Sequence, residues 1–223
     1  MRFVMYFGAA FTPLVITAVA LFTMFVAPEW RSCTGDPDID RDTQIGSCTA
    51  LIQSSQETAH NRAVAYTNRG NAWYAKDDNN GAIADYNDAI RLDPKLAMAY
   101  YNRGNTYAAK GDKDRAIADF SEAIRLDPKY AVAYYNRGNT YVAKGEYDRA
   151  IADYNEAIRL DPELAWAFNN RGKLFFYNGD FEKAAADLLR VNDLNDDAYA
   201  MLWRYLALGG RTAQPNCPPM RHG

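Results

Sequence analysis

Histidine is almost missing from this 223-residue chain, which has only His60 and His222. Catalysis by imidazole needs a positioned base, but His60 stands in a polar stretch and His222 is the penultimate residue. Neither a catalytic triad nor a His-rich metal site is expected. Cysteine is scarce as well: Cys33, Cys48 and Cys217 are the full set, and no CxxC of a dithiol enzyme occurs. Positive charge is not in surplus either. With 25 Lys and Arg against 28 Asp and Glu, the formal net charge is −3. No strong field exists to gather nucleic acid, so no nucleic-acid partner is expected. With no nucleophile, base or metal cluster to be found, the chain is not expected to be an enzyme, and neither a cofactor nor a small-molecule substrate is expected.

What remains is the composition of an ordinary folded protein, 48% hydrophobic and 24% charged. Tyrosine is the exception at 16 residues, and aromatics at a fixed spacing first suggest repeated core positions.

The amino terminus carries an uncharged apolar run from Phe3 to Ala27, 25 residues. A helix of about 20 residues crosses the hydrocarbon layer, so residues 1–27 are expected to be a transmembrane signal-anchor. A cleaved signal peptide is the alternative, although its apolar core usually spans only about 7–15 residues. Either way the body of the chain is expected outside the cytoplasm. Cys33 and Cys48 bracket a short acidic segment, and in an oxidising compartment they are expected to form a disulfide. A loop of about 15 residues closed in this way contributes on the order of 3 kcal/mol. Cys217 has no evident partner and is free or intermolecular.

Self-similarity organises the middle of the chain. Residues 97–130 read AMAYYNRGNTYAAKGDKDRAIADFSEAIRLDPKY, and residues 131–164 agree with them at 26 of 34 positions. Residues 63–96 form an earlier copy and residues 165–198 a more diverged later one. Within one frame, Tyr134, Gly138 and Tyr141 share a face of a first helix, and bare Gly138 admits the partner helix closely. Gly145 ends that helix in the left-handed region. Ala150, Ile151, Tyr154, Ala157, Ile158 and Leu160 form the stripe of a second helix. Asp161 is expected to cap the next helix, with Pro162 in its first turn. A hairpin of this kind cannot bury its apolar face alone, and stacking four of them builds a continuous core.

The 34-residue period, the small residues Ala82, Ala116, Ala150 and Ala184, the aromatics Tyr86, Phe120 and Tyr154, and the prolines Pro94, Pro128 and Pro162 closely resemble the tetratricopeptide (TPR) repeat family. The resemblance covers about 136 residues. It implies an all-α fold, a right-handed superhelical solenoid of four TPR hairpins with a concave protein-binding groove. Asp77 stands where later copies have glycine, at a position Asp tolerates. An orphan helix is expected over residues 42–54 within a linker of residues 28–62. A cap helix over 199–208 and an unstructured tail over 209–223 are expected to follow. Anchor, paired cysteines and NRGN-type repeats together resemble envelope-directed repeat proteins of Gram-negative bacteria, which implies an inner-membrane anchor with repeats facing the periplasm, or secretion to the periplasm if the signal is cleaved.

In this family the first helix of each hairpin lines the groove. On that face lie Asn68, Asn102, Asn136 and Asn170, then Asn71, Asn105 and Asn139 (with Lys173), then Thr67, Tyr101, Tyr135 and Asn169. An amide offers donors and an acceptor in one plane, so a ladder of them suits the backbone of an extended peptide, and family members hold peptides in this way. The alternative is that Asn merely solvates the helix. Other members clamp a carboxyl terminus with basic residues, but Val64, Thr67, Met98 and Val132 carry no positive charge, so that clamp is not expected. Arg69, Arg103, Arg137 and Arg171 are expected to pair with Asp85, Asp119, Asp153 and Asp187 as structural ions. A non-enzymatic adaptor binding a protein or extended peptide follows, the alternative being a self-assembling envelope scaffold.

Overall fold

A computed structural model describes residues 28–195 and 209, and every regular element among the described residues is helical. The helices are α1 (Pro28–Cys33), α2 (Arg41–Gln53), α3 (Ala59–Ala75), α4 (Asn79–Leu92), α5 (Ala97–Ala109), α6 (Lys113–Leu126), α7 (Ala131–Lys144), α8 (Tyr147–Leu160), α9 (Ala165–Tyr177) and α10 (Phe181–Asn195). Each packs against its neighbours in sequence, and the first helices of successive hairpins also touch, α3 with α5 and α5 with α7. Contacts of this range make a quasi-one-dimensional stack. Among the described residues no helix is long and apolar enough to cross a membrane. The Phe3–Ala27 run, the expected cap helix over 199–208 and Cys217 lie outside the described residues.

The hairpins close as the frame predicts. Gly111, Gly145 and Gly179 adopt φ of 79°, 80° and 83° after the first helices, and Asp77 takes the same role at 61°. A Cβ on Gly138 would stand 2.8 Å from the Tyr154 ring, and one on Gly104 would stand 2.9 Å from the Phe120 ring. Aromatic position and bare glycine therefore form one fitted contact. Tyr86, Phe120 and Tyr154 are almost wholly buried there. In the last hairpin Leu188 replaces the ring, and the nearest atom to a Cβ on Gly172 recedes to 3.1 Å.

Asp161 does not cap the following helix. It is the C-cap of α8, and α9 begins three residues past Pro162 with Leu164 as an N-cap that makes no side-chain hydrogen bond. The residue before a proline is pushed out of helical geometry, so Asp161 turns extended, at φ −133°. Its carboxylate then accepts the Glu163 amide at 3.0 Å, and Asp93 and Asp127 do the same for Lys95 and Lys129. The acid rigidifies the turn between repeats.

The amino-terminal end departs further from the expected linker. Residues 41–53 are helical, close to the orphan helix expected over 42–54, but α1 precedes them. Cys33 and Cys48 are joined in a disulfide and fully buried. The first hairpin also begins earlier than the frame at residue 63, because α3 gains a turn from Ala59, capped by Thr58.

Candidate functional site

The first helices of the four hairpins carry the residues singled out from the sequence, and the arginine column sets their packing. Arg103 donates Nε and Nη2 to the two oxygens of Asp119 at 2.7 Å each, within its own hairpin. Arg69 with Asp85, Arg137 with Asp153 and Arg171 with Asp187 repeat this two-point pairing at 2.7–2.8 Å. The aspartates are nearly buried, and such bidentate pairs are the strong ones. Burial works against the charge on Arg103 and Arg137, but the Asp119 and Asp153 carboxylates outweigh it and hold both guanidiniums above their ordinary value. Each guanidinium also lies against aromatic rings, as Arg137 does against Tyr134 and Tyr141.

The remaining nitrogen reaches backwards along the stack. Nη1 of Arg103 donates to Asn87, that of Arg137 to Ser121 and that of Arg171 to Asn155, each on the second helix of the preceding hairpin. Nη1 of Arg69 donates to Thr49 on α2. Thr49 thus stands where Asn87 stands, and Cys48 stands where Tyr86 stands. The separation is 20 residues instead of 16, which matches the extra turn of α3. Helices α1 and α2 therefore form a shortened hairpin of the same plan, in which the Cys33–Cys48 bond replaces the glycine–aromatic contact. The cysteines stand 15 residues apart, one fewer than glycine and aromatic in the later hairpins, so the repeat frame did not reveal the correspondence.

The two asparagine columns are not independent. Asn102 donates its amide to Asn71 at 2.9 Å, Asn136 to Asn105 at 2.8 Å and Asn170 to Asn139 at 2.9 Å. Each pair bridges two successive first helices, so the amides form rungs across the repeat junctions. The oxygens of Asn71 and Asn139 accept a second bond, from the Tyr86 and Tyr154 hydroxyls. Burial raises both phenols above the ordinary tyrosine value. Asn136 also donates to the Tyr101 hydroxyl and Asn170 to that of Tyr135. Asn68 begins the column without a preceding asparagine, and its amide points to the Cys33 sulfur at 3.9 Å. The ladder expected to face a ligand is thus first a structural device. Among the described residues, however, the NH2 groups of Asn71, Asn105 and Asn139 donate no hydrogen bond, so part of each rung is unspent.

The surface beside the rungs is concave. A recess of about 430 Å³ is lined by Asn105, Asn136 and Asn139 together with Tyr74, Phe120, Thr140, Lys113 and the small residues Ala108, Ala109 and Ala143. Tyr101 and Tyr135 flank it half-buried, tilted against Tyr130 at 4.9 Å and against Trp166 at 6.4 Å. Trp166 is 64% exposed. Thr67 does not share this surface with the tyrosines in its column. It is fully buried and donates its hydroxyl to the Ala63 carbonyl. The alanines and Tyr74 were missed in the sequence, although Ala108 and Ala109 fall three and four residues after Asn105, on the same helix face.

A family model described as "TPR repeat" matches residues 70–111, 104–145 and 138–179. Among solved structures, one described as "Crystal structure of MamA" is 25% identical with a TM-score of 0.57, over 78% of this chain and 90% of that one. The Arabidopsis OM64 TPR domain is 28% identical with a TM-score of 0.51, over 52% of this chain and 96% of that one. The first TPR of Spaghetti (RPAP3), solved with the HSP90 peptide SRMEEVD, is 24% identical with a TM-score of 0.51, over 54% and 95% of the two chains. No curated protein matches the sequence.

Proposed function

The chain belongs to the TPR repeat family, and from that premise we propose that it is a non-enzymatic adaptor holding an extended segment of a partner protein in its concave groove. The observation that carries this is the recess at Asn105, Asn136 and Asn139, where unspent amide donors meet apolar floor and half-buried tyrosine. Peptide groups need paired polar partners when they leave water, and flat aromatic surface supplies apolar contact with a polar tip. A fold relative solved with a bound peptide supports the same use of the architecture. The acidic chemistry of that peptide does not carry over, because Val64, Thr67, Met98 and Val132 offer it no cation.

The Cys33–Cys48 bond supports a place for the repeats in an oxidising compartment. Residues 1–27 would then anchor or export the chain, and the mass of the mature protein distinguishes the two.

A photo-crosslinking amino acid at Ala108, on the floor of the recess, tests the groove against the same probe at Ala152, exposed on α8. Crosslinks to one partner set are expected from position 108 and not from 152. Equal or preferential crosslinking from 152 rejects the groove as the binding face.

A further inference from the structure

The geometry points to a partner segment in the polyproline II conformation, rich in proline but with another residue at every third position, and this rests on the groove proposed above. Each repeat junction presents the same pair of groups. The NH2 of Asn71, Asn105 or Asn139 is an unspent donor, since its own oxygen is taken by the next asparagine. The side-chain oxygen of Asn102 or Asn136, the other half of its rung, accepts no hydrogen bond among the described residues, although the backbone oxygen accepts from Thr106 or Thr140. One donor and one acceptor side by side suit the backbone of one residue, with its carbonyl toward the first and its N–H toward the second, since the two groups of a single trans peptide unit point opposite ways.

The spacing of the junctions selects the conformation. Neighbouring packed helices lie about 8–10 Å apart, and direct amide bonds between α3 and α5 and between α5 and α7 make those helices neighbours. A polyproline II helix has three residues per turn at a rise of about 3.1 Å, so it brings the same edge of its backbone round every 9 Å or so. A β-strand covers nearly the same distance in three residues, but it alternates faces with a period of two. Its peptide units would meet successive rungs pointing in opposite directions. Only the three-fold chain offers each rung an identical group.

The residues between rungs then need no N–H, and proline lacks one. The surroundings agree. The first helices of the second and third hairpins carry Met98, Tyr101, Val132 and Tyr135 on the turns before Asn105 and Asn139, and the alanines of the recess follow these asparagines. Among the described residues no carboxylate lines the recess. Aromatic side chains flanked by hydrogen-bonding groups are the surface on which proline-rich helices dock.

The full chain is titrated with (Pro-Pro-Ala)4 and with (Gly-Ser-Ala)4, peptides of equal length and no charge, by calorimetry. Binding of the proline peptide about tenfold or more tighter than the flexible one is expected. The Asn105→Asp/Asn139→Asp variant keeps an oxygen for each internal bond but loses both donors. It is expected to lose that preference while its melting temperature stays near that of the parent. Equal affinity for the two peptides overturns the polyproline II assignment and leaves the groove intact. Binding by neither peptide overturns it too, and crosslinking from position 108 then decides whether the groove itself stands. Unchanged selectivity in a folded double variant rejects the rungs as the selective element.

Discussion

At the scale of single residues, Tyr86 and Tyr154 link stability to the groove. Each fills the space left by a glycine, and each hydroxyl donates to a groove asparagine. Because burial raises both phenols, the folded chain holds protons that the unfolded chain releases near pH 10. The stability they contribute is therefore complete below about pH 10 and declines as pH rises toward the folded value. Urea unfolding at about pH 8 and pH 10.5 is expected to show the parent losing stability on the alkaline side. Tyr86→Phe/Tyr154→Phe starts about 1 kcal/mol lower per lost hydrogen bond but should lose less on going alkaline. A remaining loss is expected, because Tyr130 is also raised by burial, to about 12. The idea fails if parent and variant lose the same amount. Phe120 at the equivalent place already shows that the position accepts a bare ring. The asparagine columns were legible in the sequence, since a 34-residue period aligns them. Their pairing was not, because each rung joins residues 31 apart in neighbouring repeats, and a face drawn for one helix omits the helix beside it.

At the scale of elements, the shortened hairpin α1–α2 is the most distinctive part. Its first helix has only six residues, too few for a helix to persist by itself, so the Cys33–Cys48 bond and the packing of Trp30 against the cluster with Leu51 and Ala65 hold it in place. Cys33→Ser/Cys48→Ser is expected to cost about 3 kcal/mol of local stability. Amide exchange should then accelerate across residues 28–53 and remain unchanged in α5 to α8. Acceleration spread evenly through all four hairpins would show instead that this end is not an independent unit. Sequence reasoning found α2 from its apolar register and the disulfide from two cysteines bracketing an acidic segment in a chain expected in an oxidising compartment. It missed α1 because a single short turn has no periodicity to read, and it misplaced the Asp161 cap because aspartate before proline suits a turn as well as a helix start.

At the scale of the molecule, the interfaces are interchangeable. Deleting residues 97–130 would set Arg137 against Asn87 in place of Ser121, and Asn136 against Asn71 in place of Asn105, with the same chemistry at each exchange. A cooperative, helical product with a lower melting temperature is expected by circular dichroism. A non-cooperative product would mean that the junctions are not equivalent. The fold was legible at this scale because one frame nearly repeats the next, while residues 1–27, 196–208 and 210–223, with most of the expected tail, lie outside the described residues.

The backward reach of each arginine gives the stack a direction. If hairpins peeled away from the carboxyl-terminal end, each departure would uncover only a small polar side chain such as Asn155 or Ser121, which water satisfies. Peeling from the amino-terminal end would free an arginine nitrogen instead, and water satisfies that too, since the Arg103–Asn87 and Arg171–Asn155 bonds are already exposed. What separates the two directions of unravelling is the covalent bond between Cys33 and Cys48, which ties down the first unit that would have to leave on the amino-terminal side.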